Sequence, residues 1–283
     1  MPMWQQRAPE SIASSAPVAG VRCVPVSRWR GGCSQATDDW VSEEVPIALE
    51  FNGISHAVML ATPCDLEDFA LGFGLSEGIF ASAVDLYSCE VSETGPGITV
   101  SMDVSASSFA KLKARRRTLV GRTGCGVCGT ESLEHALRPV PRVTTGLNVR
   151  CEAVVQAVQA MRDEQRMNHL TGSMHAAAWC DVNGSLQVAR EDVGRHNALD
   201  KLVGALAGAR WVASEGFMVV TSRASIEMVQ KAAVAGVSLI AAISAPTQLA
   251  INTAQAAGIC LLGLVREDNL VIYSHPDRIL KSL

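Results

Sequence analysis

Aromatic residues are scarce, at 5% of the 283 positions with only two tyrosines. That scarcity removes the stacking platform on which single-stranded nucleic acid is held. Charge of one sign is also lacking. The 24 basic residues stand against 28 acidic ones for a net charge of −4, so no broad phosphate-binding face and no nucleic-acid partner are expected. No window offers eighteen uninterrupted apolar residues, which excludes an expected membrane-spanning helix. The opening stretch MPMWQQRAPESIASSAPVAGVRCVPV has no charged start followed by an unbroken apolar core, as a secretory signal requires. These absences together predict a cytoplasmic protein that is neither exported nor embedded in a membrane.

What is present fits a well-cored globular chain, 48% hydrophobic and 18% charged. Nine cysteines are an odd number at irregular intervals, in a chain too long to need stapling. They read as reduced thiols rather than as a disulfide framework.

Residues 1–40 are rich in Ala, Ser, Pro and Arg without periodicity, which predicts a mobile leader. A smaller N-terminal α+β subdomain is expected over 41–118. It opens with EVPIALEF and SHAVMLAT as a hairpin around Asn52-Gly53. An amphipathic helix capped by Asp65 follows, then two strands joined at GPG and a short basic helix SSFAKLKARRRTL. A cysteine-containing loop occupies 119–132. Beyond it, 133–283 is expected to be an α/β domain. CEAVVQAVQAMRDEQRM reads as a helix, TGSMHAAAWC and SLQVARED as strands around DVNG, and NALDKLVGALAG as a helix.

The last third alternates FMVVTS, SIEMVQKAAVAG, SLIAAIS, PTQLAINTAQAAG and CLLGLVR, a βαβαβ pattern that implies parallel strands with right-handed crossovers. Open α/β sheets take ligands beyond the carboxyl ends of such strands, where helix N-termini present free N–H groups. Arg223, Ser225, Ser244 and Thr247 fall at these ends, and are candidates for phosphate contact or for plain helix capping.

Cys125 and Cys128 stand three apart in GRTGCGVCGTESL. A structural zinc site needs a second pair of ligands, and His175 with Cys180 lies in an apolar strand-like segment. A thioredoxin-type pair belongs near the start of a small domain, whereas this one sits mid-chain. A turn with two incidental thiols is the plainest alternative. Against it, Thr130 and Glu131 open the helix TESLEHAL, whose N-terminus favours thiolate, and Lys111, Lys113, Arg115, Arg116, Arg117 and Arg122 add positive charge. Glycines at 121, 124, 126 and 129 suit a swinging arm, so we expect a reactive thiolate on a mobile loop and no metal. A second polar concentration, Arg190, Glu191, Asp192, Arg195, His196 and Asn197, suits either a pocket edge or a salt-bridged dimer contact. His175 reads as structural.

EVPIALEFNG, MLATPCDLEDFALGFGLSEGI, GRTGCGVCG, TGSMHAA, REDVGRHNALDKLVG, TSRASIEMVQKAAVAGV, SAPTQLAI and YSHPDR together cover roughly residues 43–278. On these motifs the chain resembles the formate dehydrogenase accessory sulfurtransferases, the FdhD family. The resemblance implies a cytidine-deaminase-like mixed sheet with covering helices. It also implies a cytoplasmic sulfur carrier that takes persulfide sulfur from a cysteine desulfurase and passes it to the bis(molybdopterin guanine dinucleotide) molybdenum cofactor for formate dehydrogenase. Cys125 would carry the persulfide and Cys128 assist. Guanine nucleotide contacts would fall on Leu264, Val265, Arg266, Glu267, Asp268 and Asn269, although LVREDN lacks the second arginine and the glycine of the family pattern. A homodimer would suit the two guanines. A deaminase is a poor fit, since His175-Ala176-Ala177 lacks the glutamate and no proline precedes Cys125. A cofactor-docking chaperone that moves no sulfur is the alternative from another class.

Overall fold

The computed structural model describes residues 18–120, 140–144, 146–267 and 269–280. Its first elements are a two-stranded antiparallel ribbon, β1 (Val21–Arg30) and β2 (Cys33–Ser42), paired residue for residue along their whole length. This corrects the expected leader over 1–40 from Val21 onward, and residues 1–17 lie outside the described residues. The strands were hidden because most side chains on both faces of the ribbon stay exposed, so no apolar alternation marks them. Only the root is anchored, by Val18, Val21 and Trp40 against Met167, Leu170 and Met174.

The smaller sheet has the order β4-β3-β6-β5, built from β3 (Val45–Phe51), β4 (Ile54–Ala61), β5 (Leu86–Thr94) and β6 (Gly97–Val104). Asn52 and Gly53 both take positive φ, 47° and 73°, as a two-residue hairpin turn demands. Ile47, Leu49, Phe51, Val100, Met102 and Val104 point to one side. There they meet Leu66, Phe69, Ala70 and Phe73 of α1 (Leu66–Ser76) and Leu112 of α2 (Ala106–Val120). Asp65 precedes α1 as expected but makes no side-chain cap; it adopts a left-handed conformation, and its carboxylate lies 3.6 Å from Arg190.

The larger sheet has the order β13-β12-β11-β10-β8-β9. Its strands are β8 (His175–Asp181), β9 (Leu186–Asp192), β10 (Gly216–Val220), β11 (Leu239–Ala242), β12 (Cys260–Arg266) and β13 (Asn269–Ser274), and β7 (Val149–Arg150) pairs apart from it with β14 (Ile279–Leu280). β10, β11 and β12 are parallel and the flanking strands antiparallel, so the sheet is mixed, as expected. Period-two alternation splits the strands between two cores. Ala177, Trp179, Met218, Val220, Ile240 and Leu261 meet α5 (Arg195–Gly208), α6 (Ile226–Val234) and α7 (Gln248–Ala257). On the opposite face Ala176, Ala178, Phe217, Val219 and Leu262 meet α3 (Cys151–Glu164), which α4 (Arg166–Thr171) follows.

The two sheets are joined where α1 crosses α5. A Cβ on Gly72 would stand 1.8 Å from the Asp200 carbonyl oxygen, and one on Gly204 would stand 1.8 Å from that of Asp68. Backbone meets backbone here, so no neighbouring side chain can yield. We therefore expect Gly204→Ala to cost about 3 kcal/mol, the upper end of ordinary overpacking. Gly208→Ala on the same helix meets nothing within 4 Å and should be neutral or slightly stabilising. Urea midpoints of the two variants check the contrast.

Candidate functional site

The carboxyl ends of the parallel strands gather most of the polar residues singled out in the sequence. The loop after β10 and the loop after β11 are clipped together by an Ala224–Pro246 bridge and by Thr247 N–H donating to the Ala224 carbonyl at 3.0 Å. Leu264 N–H donates to the Ser244 carbonyl at 3.3 Å, which draws the end of β12 to the same edge. Thr247 caps α7 by accepting from Ala250 N–H at 3.3 Å. Ser225 occupies the N-cap of α6. Burial pushes the Glu227 carboxyl up, but the Ser225 hydroxyl and its own backbone N–H outweigh that, with help from His196 and Arg195, and hold it below its ordinary value.

Because β8 runs antiparallel to β10, its first residue lies at this edge as well. Thr221 Oγ1 accepts from Ala176 N–H at 2.9 Å and stands 3.4 Å from His175 Nδ1. β9 ends beside it, His175 pairing with Asp192. Asp192 is fully buried, and its carboxylate has every partner it can use. Oδ2 takes Lys201 Nζ at 2.8 Å and Thr62 N–H at 3.0 Å; Oδ1 takes Gly194 N–H at 2.8 Å and Asn197 Nδ2 at 3.0 Å. Lys201, itself at 0% exposure, also donates to the Thr62 carbonyl at 3.0 Å.

Neighbouring charges are paired in the same way. Lys231 Nζ holds both oxygens of Asp200 at 2.6 and 2.9 Å. Arg190 holds Asp68 at 2.6 Å. Glu191 accepts from the backbone N–H groups of Met167 and Asn168, both at 2.9 Å; burial nevertheless raises its carboxyl above the ordinary value, against the pull of those bonds. The polar run 190–197 is thus mostly internal cross-linking between the two sheets.

Arg195 and His196 are the exceptions. Both sit in the first turn of α5, and among the described residues neither Arg195 Nε nor His196 Nε2 has a hydrogen-bond partner, although both atoms are closed to solvent. Arg195 takes part in none of the ion pairs formed among those residues. Burial lowers the His196 imidazole, and Arg195 lowers it further; the same two causes lower His175.

The residues expected to contact nucleotide divide on inspection. Arg223, Ser225, Ser244 and Thr247 share this edge, in the two clipped loops. Leu264, at φ 54°, lies within an irregular pairing of β12 with β13 between Gly263 and Arg266, and Glu267, at φ 47°, follows it. Val265 is fully buried in the core facing α3, so its side chain is a packing group. Arg266 ends β12 and Asn269 begins β13 as its pairing partner. Asp268, Cys125 and Cys128 lie outside the described residues.

Five of the described thiols are poor competitors for sulfur chemistry. Burial pushes Cys64 and Cys89 up to about 11, and Cys180 and Cys260 up to about 12. Cys151 is also raised by burial. Only the thiolate is the nucleophile, so burial disfavours sulfur chemistry at these groups at neutral pH. Cys23 and Cys33, on the ribbon, are exposed. Among the described residues no cluster of His, Cys, Asp or Glu has the arrangement of a metal site, and no helix is long and apolar enough to cross a membrane.

Comparison with known proteins agrees with this architecture. The FdhD/NarQ family model matches residues 42–280. A sulfur carrier protein FdhD of Variovorax paradoxus is 54% identical over 265 residues, covering 93% of this chain and 92% of that one. The sulfur carrier protein FdhD of Bordetella petrii is 52% identical over 256 residues, covering 90% and 92%. A crystal structure from Desulfotalea psychrophila, described as a formate dehydrogenase accessory protein, shares the fold with a TM-score of 0.74 at 23% identity, covering 92% of this chain and 99% of its own. A mixed α/β protein with a polar strand-end site is the class defined by the fold. The chain belongs to the FdhD/NarQ family.

Two outcomes are expected at this edge. Asp192→Asn leaves a buried lysine without its counter-charge and should cost about 3–5 kcal/mol in a denaturant titration. His175 and His196 should titrate below the ordinary imidazole value of 6.5 in a histidine NMR pH series. Below pH 6.5 the unfolded chain then binds more protons than the folded one, so stability is retained above that pH and falls as pH drops beneath it.

Proposed function

We propose that this chain is a sulfur carrier that receives persulfide sulfur on Cys125 from a cysteine desulfurase and delivers it to bis(molybdopterin guanine dinucleotide) cargo for formate dehydrogenase. The strongest single support is the 54% identity, over 93% of this chain, to a protein named as a sulfur carrier. The pair Cys125 and Cys128 supplies the chemistry. In the first step the Cys125 thiolate attacks the outer sulfur of the donor's persulfide, forming a new S–S bond while the donor cysteine leaves as thiolate. Attack by the Cys128 thiolate on Cys125 Sγ then expels sulfide and leaves a Cys125–Cys128 disulfide, so the pair supplies the two electrons that delivery of sulfide requires.

In this proposal the cargo lies along the strand-end edge, with Arg223, Ser225, Ser244, Thr247 and the turn Leu264–Asn269 as its contacts. Val265 contributes only its backbone there, because its side chain is buried. We read the mixed sheet as a deaminase-like frame that has lost hydrolysis, since Ala177 stands where a deaminase needs its glutamate. A cytoplasmic homodimer that presents two such edges would match a cargo with two nucleotide ends. The second reading, a chaperone that docks the cofactor without moving sulfur, keeps the edge and dispenses with Cys125.

Peptide mass spectrometry after incubation with a desulfurase and cysteine tests the carrier. One extra sulfur should map to Cys125 and disappear in Cys125→Ala. Sulfur spread over unrelated thiols, or none acquired, would sink it.

A further inference from the structure

We propose that the cavity where α1, α5 and α6 end is a binding site for a small carboxylic acid with an apolar body, whose carboxylate is held by Arg210. The cavity measures about 410 Å³, within the range of small-molecule sites. It lies at the carboxyl end of α5, a helix of 14 residues, and so about 20 Å from the Arg195 end. It is therefore separate from the strand-end edge, and it does not rest on the function proposed above.

All three helices close in a Schellman motif. In α1, Gly78 N–H donates to the Leu75 carbonyl and Ile79 N–H to that of Gly74, both at 2.8 Å. In α6, Gly236 N–H donates to the Ala233 carbonyl at 3.0 Å and Val237 N–H to that of Ala232 at 2.9 Å. In α5 the donors are Arg210 N–H, to the Ala207 carbonyl at 3.3 Å, and Trp211 N–H, to that of Leu206 at 3.0 Å. The first residue past each cap is left-handed, with φ 66° at Gly78, 72° at Gly236 and 56° at Arg210. Glycine is usual there, because that conformation crowds a Cβ. At α5 the same turn carries a side chain instead, and it sets a guanidinium and the next residue's indole in the lining of the cavity.

Three observations define the ligand. First, the walls are apolar, with Leu75, Trp179, Val203, Leu206, Val234 and Val237 among them. Apolar surface continues outside, since Trp211 and Val234 are each 38% exposed, and Val212 and Val84, chain neighbours of lining residues, are 50% and 77% exposed. Exposed apolar side chains gathered at a cavity mark a binding site rather than ordinary surface. Second, Arg210 is the one ionisable side chain in the described lining, and among the described residues its guanidinium takes part in no ion pair. Asp85, two residues from Ala83 in the lining, is taken by the N–H groups of Ala81 and Ser82 and by the Ser105 hydroxyl. A ligand carboxylate thus meets forked donors that match its two oxygens. Third, helix carboxyl ends carry partial negative charge, which a cation offsets. One arginine beside three such ends suits a single carboxylate and disfavours a multiply charged phosphate. Leu75, Ser82 and Ala83 come from the part of the chain that builds the smaller sheet, whereas Trp179 and the α5 and α6 residues belong with the larger one. A bound acid therefore bridges the two and should raise the thermal midpoint.

The test is isothermal titration of the full chain with decanoate, with 4-phenylbutyrate and with uncharged decanamide, while fluorescence follows the two tryptophans of the lining. It compares the native protein, Arg210→Gly, Ala207→Leu and the exposed-charge control Arg30→Gln. Arg210→Gly suits the left-handed turn, so its thermal midpoint should hold or rise. It should nevertheless weaken decanoate about tenfold, the worth of a charged hydrogen bond, and leave decanamide unchanged. Ala207→Leu places its side chain in the cavity and should abolish binding of all three, while the control should bind like the native chain. Binding of either acid on these terms supports the site, and the tighter of the two shows whether the body is aliphatic or aryl. No binding of either acid to the native chain would overturn it, as would decanamide binding as tightly as decanoate. Unchanged decanoate affinity in Arg210→Gly, whatever its midpoint, would reduce Arg210 to a counter-charge for the helix ends and overturn the assignment. Should Ala207→Leu fail to fold, the contrast between decanoate and decanamide in Arg210→Gly decides alone.

Discussion

The buried carboxylate of Asp192 is the constraint on which the rest of this structure depends. It ties together the end of β9, the turn between β4 and α1 through Thr62, and the start of α5 through Gly194 and Asn197, with Lys201 neutralising it at 2.8 Å. A pair of charges withdrawn from water gains little net stability, and its value lies in the geometry it enforces. Here it fixes how the smaller sheet docks on the larger. Once Thr62 and Asp192 are locked, α1 and α5 approach closely enough that only glycine fits at Gly72 and Gly204. The same lock sets the first turn of α5, which begins with Arg195 and His196, at the strand-end edge. Among the described residues Arg195 Nε and His196 Nε2 have no hydrogen-bond partner, and Glu227 is the acidic group that interacts electrostatically with both side chains.

Much of this was legible in sequence. The βαβαβ pattern of the last third, the Asn52-Gly53 hairpin and α1 each follow from a strong local signal: continuous apolar strands, paired positive φ and helical periodicity. The ribbon β1–β2 was not legible, because strands that bury neither face leave no period-two pattern. Lys201 was missed for a different reason. It stands in an apolar run, ALDKLVGAL, where a lysine reads as the solvent face of an amphipathic helix. α5 is instead packed on nearly every side, with Asp200 and Lys201 both buried. Two oppositely charged residues side by side in an otherwise apolar helix were the available clue. Asp65 shows the limit of capping rules, since the N-cap position was right and the bond was absent. Val265 shows the limit of motif transfer, since a run aligned to ligand contacts contains a core side chain.

The distribution of thiols gives the proposed chemistry its selectivity. Burial suppresses the thiolate at Cys64, Cys89, Cys151, Cys180 and Cys260. The nine cysteines therefore do not compete on equal terms for incoming sulfur. Cys125 and Cys128, flanked by glycines and followed by a helix-start sequence, carry the local features that favour thiolate instead. In the function proposed above, carrier chemistry falls to the Cys125–Cys128 pair and cargo binding to the cross-linked strand-end edge.

The most direct measurement follows radioactive sulfur. The chain is loaded with labelled persulfide, freed of desulfurase, and presented with sulfur-deficient cofactor and formate dehydrogenase that lacks activity. Label should leave the chain and arrive in the dehydrogenase in step with the appearance of formate oxidation. Activation of the dehydrogenase while the label stays on the chain would contradict sulfur delivery and make the protein a docking chaperone.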